Sequence, residues 1–176
     1  MADHILNGVF MKLFDVAKVV NVKVFEDIIS DMEQNLDFLN DTNNKEEVRE
    51  LCISYIKGQR NDIEGLKKGS WCVAPNIDGM KGEERADFVY RPTYIAISVL
   101  TLIAKKYPDI PDSVENFWEV LKNGYDFASG RNFKGHGYEA ESGLRETMKI
   151  FKKGGVIDFI KSNPDFSKKF YDLINV

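Results

Sequence analysis

The sequence predicts an all-α protein: a single domain over residues 1–176, built as a bundle of antiparallel helical hairpins with two long, ordered loops. Three observations predict it. Apolar residues recur at the spacing of one helix face along most of the chain. Turn and cap chemistry falls between those stripes rather than inside them. An apolar content of 43%, with 12% aromatic, is enough for a real core at a length where one domain is the ordinary outcome.

The elements follow in order. Leu6, Val9, Phe10, Leu13, Ala17 and Val20 make a first stripe; Phe25, Ile28, Ile29, Met32, Leu36 and Leu39 make a second. Leu39 to Asn44 is turn chemistry, and Asn44 with Glu47 forms a capping box for a third helix. Val48, Leu51, Cys52 and Tyr55 are its buried face, and it is expected to run on to about Leu66. The irregular stretch Gly69 to Arg91 follows; the sequence holds no convincing strand, although Trp71–Ala74 and Asp87–Tyr90 could pair briefly inside this loop. Pro92 suits the first turn of the next helix, which buries Ile95, Val99, Leu102 and Ile103 and ends at Tyr107-Pro108. After a turn at Pro108–Asp112, the helix 112–128 carries Val114, Phe117, Trp118, Leu121 and Tyr125. A second glycine-rich loop spans Ser129 to Tyr138. Ala140, Leu144, Met148 and Phe151 then mark a helix that Gly154-Gly155 terminates. Asn163-Pro164 caps a last helix with the stripe Phe166, Phe170, Leu173 and Ile174.

Charge and motif content exclude several functions. A net charge of −4 and a pI near 5.3 argue against a general basic face, so neither nucleic acid nor an anionic membrane is an expected partner. Residues 1–88 hold 11 basic and 17 acidic side chains (−6), and residues 89–176 hold 13 and 11 (+2). The later excess, in Arg145, Lys149, Lys152, Lys153, Lys168 and Lys169, reads as solvated helix faces with lysines suited to helix C-termini. The longest apolar run, Tyr94 to Ala104, would cover roughly 16 Å as a helix, about half a bilayer core, and reads as a buried helix. Residues 1–4 lack the charged and apolar regions of a secretory signal, so a cytoplasmic location is expected, with Cys52 and Cys72 reduced and buried. No cofactor and no metal are expected. The sequence has no Walker A loop, no Gly-x-Ser-x-Gly elbow and no His-Glu-x-x-His. Gly135-His136-Gly137 is too short for a dinucleotide fingerprint, and two cysteines with two histidines do not make a standard zinc set.

The candidate site comes from topology. If the helices near 92–106 and 112–128 form an antiparallel hairpin, the loop 69–91 enters and the loop 129–138 leaves at the same end. That end gathers Trp71, Arg91, Arg131, His136, Tyr138 and Glu139, with helix N-termini expected near Pro92 and Glu139 to favour an anion. Each residue also has a plainer role. His136 can be a turn residue, Arg91 can pair with Glu83, Glu84 or Asp87, and Trp71 can be a loop anchor. Glu139 and Glu141 can be first-turn charges, and their spacing of two argues against a paired-carboxylate site.

The stretch Tyr55-Ile-Lys-Gly-Gln-Arg-Asn-Asp-Ile-Glu-Gly65, then Gly69-Ser-Trp71, then Pro92-Thr-Tyr-Ile-Ala-Ile97 resembles one repeat of the α/α-toroid families, such as terpenoid cyclases and protein prenyltransferases. In those, a helix ending in a Gln, Asp and Gly run is followed by Trp, and the next helix opens with Pro-Thr. The resemblance spans residues 55–106 and implies helical hairpins arranged as a partial toroid. No aspartate-rich cyclase motif and no zinc triad of Asp, Cys and His accompany it, so it carries over no catalytic residue.

Poverty in catalytic groups points to a non-catalytic helical domain that binds a small polar or anionic ligand, or a protein partner, where loops 69–91 and 129–141 meet. Two alternatives stand beside it. One is a small enzyme using His136 as acid or base, with Arg91 and Arg131 clamping an anion. The other is a protein-interaction module of toxin-neutralising or regulatory type.

Overall fold

A computed structural model describes residues 22–60, 69–71, 83–129, 141–164 and 166. The first stripe, Cys72, and residues 167–176 lie outside them. The described residues form seven helices and no strand, so the chain is all-α. The second stripe becomes α1 (Val22–Asp41), which buries Ile28, Ile29, Met32, Leu36 and Leu39. Asn44 caps α2 (Lys45–Gly58) as expected, its side chain accepting from the backbone N–H groups of Glu46 and Glu47. Val48, Leu51, Cys52 and Tyr55 are all buried on its inner face.

That helix stops at Gly58, well short of the expected Leu66. Gln59 turns out into extended backbone, and its side-chain amide donates to the carbonyls of Val120 at 2.8 Å and Gly69 at 3.4 Å. Arg60 then bridges to Ser70, its N–H donating to the Ser70 carbonyl at 2.7 Å. A tertiary anchor therefore ends the helix, which no local propensity would show.

The next helix is also not where proline chemistry placed it. α3 (Glu83–Lys106) begins nine residues before Pro92, which lies inside it. Residues 87–90 are consequently helical and not a strand. Pro92 has no N–H for the carbonyl one turn back, an interior position that costs about 3 kcal/mol. Packing outweighs that cost: every residue from Pro92 to Ile103 is buried, and α3 touches all the other described helices.

Beyond Tyr107, the expected turn is a short helix, α4 (Asp109–Ser113), and the following helix starts at Phe117 rather than at residue 112. Asn116 stands between them at φ 63°, a left-handed conformation that asparagine tolerates well, and its carbonyl accepts from the Val120 N–H to open α5 (Phe117–Ser129). α6 (Glu141–Gly154) ends at Gly155, whose φ of 65° matches the expected glycine stop. A further helix, α7 (Val156–Ser162), follows at once. Val156, Phe159 and Ile160 bury its face, a pattern too short to register among longer stripes. Asn163 is thus the C-cap of α7, its side chain donating to the Phe159 carbonyl at 2.9 Å.

Among the described residues, Lys149, Lys152 and Lys153 lie on the solvated helix face expected of them. Lys149 meets Glu146 at 2.7 Å and Lys153 meets Asp37 at 2.9 Å, all four partly or well exposed. No described helix is long and apolar enough to cross a membrane.

Candidate functional site

Of the sequence-predicted site, the structure describes Trp71 and Arg91. Arg131, His136, Tyr138 and Glu139 lie outside the described residues.

Trp71 is 1% exposed, so its ring is not available for stacking on a ligand. Its backbone N–H donates to Thr93 Oγ1 at 3.0 Å, and its indole N–H donates to the Tyr55 carbonyl at 2.8 Å. Thr93 in turn donates to the Val89 carbonyl at 2.6 Å, which ties the loop residue into α3. The ring edge lies against Gly124 of α5, where a Cβ would fall 2.9 Å from Cζ3. Trp71 is an anchor in the core, which corrects its place among the binding candidates.

Arg91 is half-buried and faces α1. Its Nη1 lies 3.6 Å from Glu26 Oε1 and its Nη2 lies 3.6 Å from Glu33 Oε1. The two glutamates are seven residues apart and so share one face of α1. The side chains of the acids expected to pair with Arg91, at 83, 84 and 87, lie outside the described ones. The helix N-terminus expected beside Arg91 is absent there: α3 starts at Glu83, about 12 Å further back at 1.5 Å per residue.

Beneath this end, the Tyr90 ring sits 5.7 Å from Phe127 of α5 and 6.4 Å from Tyr94, and Tyr94 packs edge-on to Phe151 of α6 at 5.6 Å. Three other buried groups titrate far from their ordinary ranges. Burial pushes the Cys52 thiol up to about 12, against the opposing pull of the Arg49 charge. Burial likewise raises the phenols of Tyr55 and Tyr125 well above their ordinary value, although hydrogen bonds to Asn35 and Thr101 work the other way. A thiol so held is protonated at neutral pH and is no nucleophile. Among the described residues no group of three or more His, Cys, Asp or Glu is placed to hold a metal ion.

Sequence reasoning missed a cleft on the opposite side of α2. It encloses about 380 Å³ between the outer face of α2 and the turn at 113–116. Ile53, Ile56 and Val114 form its floor; Arg49, Lys57, Ser113, Glu115 and Asn116 form its walls. Among the described residues, no carboxylate lies in ion-pair range of Arg49 or Lys57. The signal was present in the sequence: Arg49, Ile53 and Lys57 are spaced i, i+4, i+8 and so line one ridge of the helix.

No protein-family model, no curated protein and no solved structure matches this chain.

Proposed function

We propose that this chain is a binding domain that does no chemistry of its own, and that it takes a small polar or anionic ligand, or a protein partner, at the end shared by residues 69–91 and 129–141. The observation that supports this reading is the contact between Tyr90 and Phe127. Phe127 stands two residues before α5 ends, so the end of α5 lies beside the part of α3 that carries Arg91. Among the described residues, Arg91 is balanced there by charge and not by hydrogen bonds, because 3.6 Å exceeds a normal N–H···O distance. Its guanidinium fork keeps donors for a ligand. One cation beside two glutamates leaves a local formal charge of −1, which favours a neutral or singly charged acceptor over a dianion. In this reading Arg131, His136, Tyr138 and Glu139 supply the remaining contacts.

The test is a thermal-shift screen of small neutral and singly charged polar compounds against the wild type, Arg91→Ala, Arg131→Ala and His136→Ala. A true ligand at a hundredfold excess over its Kd stabilises the wild type by about 2.7 kcal/mol. The arginine variants should lose that response, with Arg91→Ala unfolding within about 1 kcal/mol of the wild type, as expected for a half-exposed ion pair. Early unfolding of both arginine variants, with no compound stabilising the wild type, would make this end a loop clamp only.

A further inference from the structure

We propose that the cleft between α2 and the 113–116 turn binds a small amphiphilic monocarboxylate, an acid head on a short apolar tail. The site shares no residue with the loop end discussed above. Its volume of about 380 Å³ is near the bottom of the range of roughly 300–1,000 Å³ that holds small molecules, too little for a docked helix or a folded partner. The floor of Ile53, Ile56 and Val114 gives a tail an apolar surface, and both isoleucines are already packed against the core from behind. Arg49 and Lys57 stand eight residues apart on one helix, about 12 Å along its axis, so a cation flanks each end of that floor.

Charge complementarity selects the head group. Arg49 offers a planar fork that matches a carboxylate in two parallel hydrogen bonds. Lys57 adds a second positive charge at the far end, and its methylene stem extends the apolar wall. Among the described residues neither cation has a carboxylate in ion-pair range, so both keep their charge for an acid placed over the apolar floor. Glu115 on the wall opposes a second negative charge, which disfavours a phosphate dianion.

The experiment is calorimetric titration of the full chain with octanoate, with octan-1-ol and inorganic phosphate as probes that lack the head or the tail. Octanoate should bind at least about tenfold more tightly than either control and weaken as salt rises. Arg49→Gln and Lys57→Gln should each lower its affinity by about tenfold, with circular dichroism unchanged. Lys57 is exposed, so that variant keeps the test valid if Arg49→Gln folds poorly. Arg131→Ala and His136→Ala, at the loop end, should leave octanoate binding as it is. The proposal is overturned if octanol binds as well as octanoate, if neither cation variant weakens binding, or if no heat is seen. It is equally overturned if the loop-end variants abolish binding, since the ligand would then sit there. Competition by an acidic peptide with full loss of octanoate selectivity would assign the cleft to a protein partner instead.

Discussion

The indole N–H of Trp71 donates to the backbone carbonyl of Tyr55, at 2.8 Å and out of contact with water. Tyr55 is in the last turn of α2, so the indole ties the end of that helix to the segment at 69–71. A side chain from sixteen residues on therefore caps the helix. The end of α1 is closed in the same way, with Lys106 Nζ donating to the carbonyls of Leu39 and Asn40 and the Tyr107 hydroxyl donating to Thr42. Trp71→Phe keeps most of the buried ring but removes the indole N–H donor to that carbonyl, which should cost about 0.5–1.5 kcal/mol. Trp71→Ala adds a cavity and should cost about 3–5 kcal/mol. Urea unfolding with an unchanged slope checks both. Equal stability of Trp71→Phe and wild type would mean the cap contributes nothing.

Gly69 should be the least replaceable glycine among those described. Its φ of 110° is one that L side chains rarely adopt, and a Cβ would fall 2.1 Å from the backbone carbonyl oxygen of Asn123. Gly155 also has positive φ, but there the nearest atom is the flexible end of Lys105. Gly69→Ala should therefore lower the melting temperature further than Gly155→Ala, by a loss of about 2 kcal/mol or more against about 1. A reversed order in thermal melts would show that the Gly69 segment can lift off α5 cheaply.

How much of this was legible in sequence depends on where the deciding contact comes from. The face of α1, the Asn44 cap and the Gly155 stop are local patterns, and each is read directly from neighbouring residues. The end of α2 at Gly58 is not local: it depends on Gln59 reaching Val120, 61 residues away. Pro92 misled for a related reason. Proline marks a helix start only when no surrounding structure outweighs the missing N–H, and α3 is enclosed by every other described helix. The cleft beside α2 escaped notice because half of its lining comes from the 113–116 turn, which periodicity does not place.

The centre of the core can be tested at α3. Leu100 is fully buried and Leu102 is 6% exposed, within the run from Tyr94 that sequence marked as a buried helix. Leu100→Ala removes apolar contact and leaves a cavity, at a cost of about 2–5 kcal/mol. Leu102→Ala should fall toward the lower end, since its rim of solvent lets the gap close or fill. Chemical denaturation measures both. Losses below about 0.5 kcal/mol at Leu100, the size of ordinary surface changes, would place α3 at the periphery.

Alkaline pH should destabilise the fold in two stages. A group whose pKa is raised by folding holds its proton in the native state after the unfolded chain has released it, so stability falls as pH rises. Cys52 goes from 9.0 to about 12, and its contribution is therefore lost from about pH 9 upward. Tyr55 and Tyr125 are raised from 10.0 by burial, and they join above pH 10. Each group adds up to about 1.4 kcal/mol per pH unit while it is ionised only in the unfolded chain. Urea unfolding between pH 8 and pH 10.5 should thus show a shallow decline that steepens near pH 10. Cys52→Ala should flatten the first stage and leave the second, whatever its own packing cost, because slopes are compared and not absolute stabilities. Tyr125→Phe should reduce the second stage alone, since it removes one of the two phenols and leaves the thiol in place. If stability stays level through pH 10.5, water reaches these three groups in the native state and the burial assigned to them is wrong.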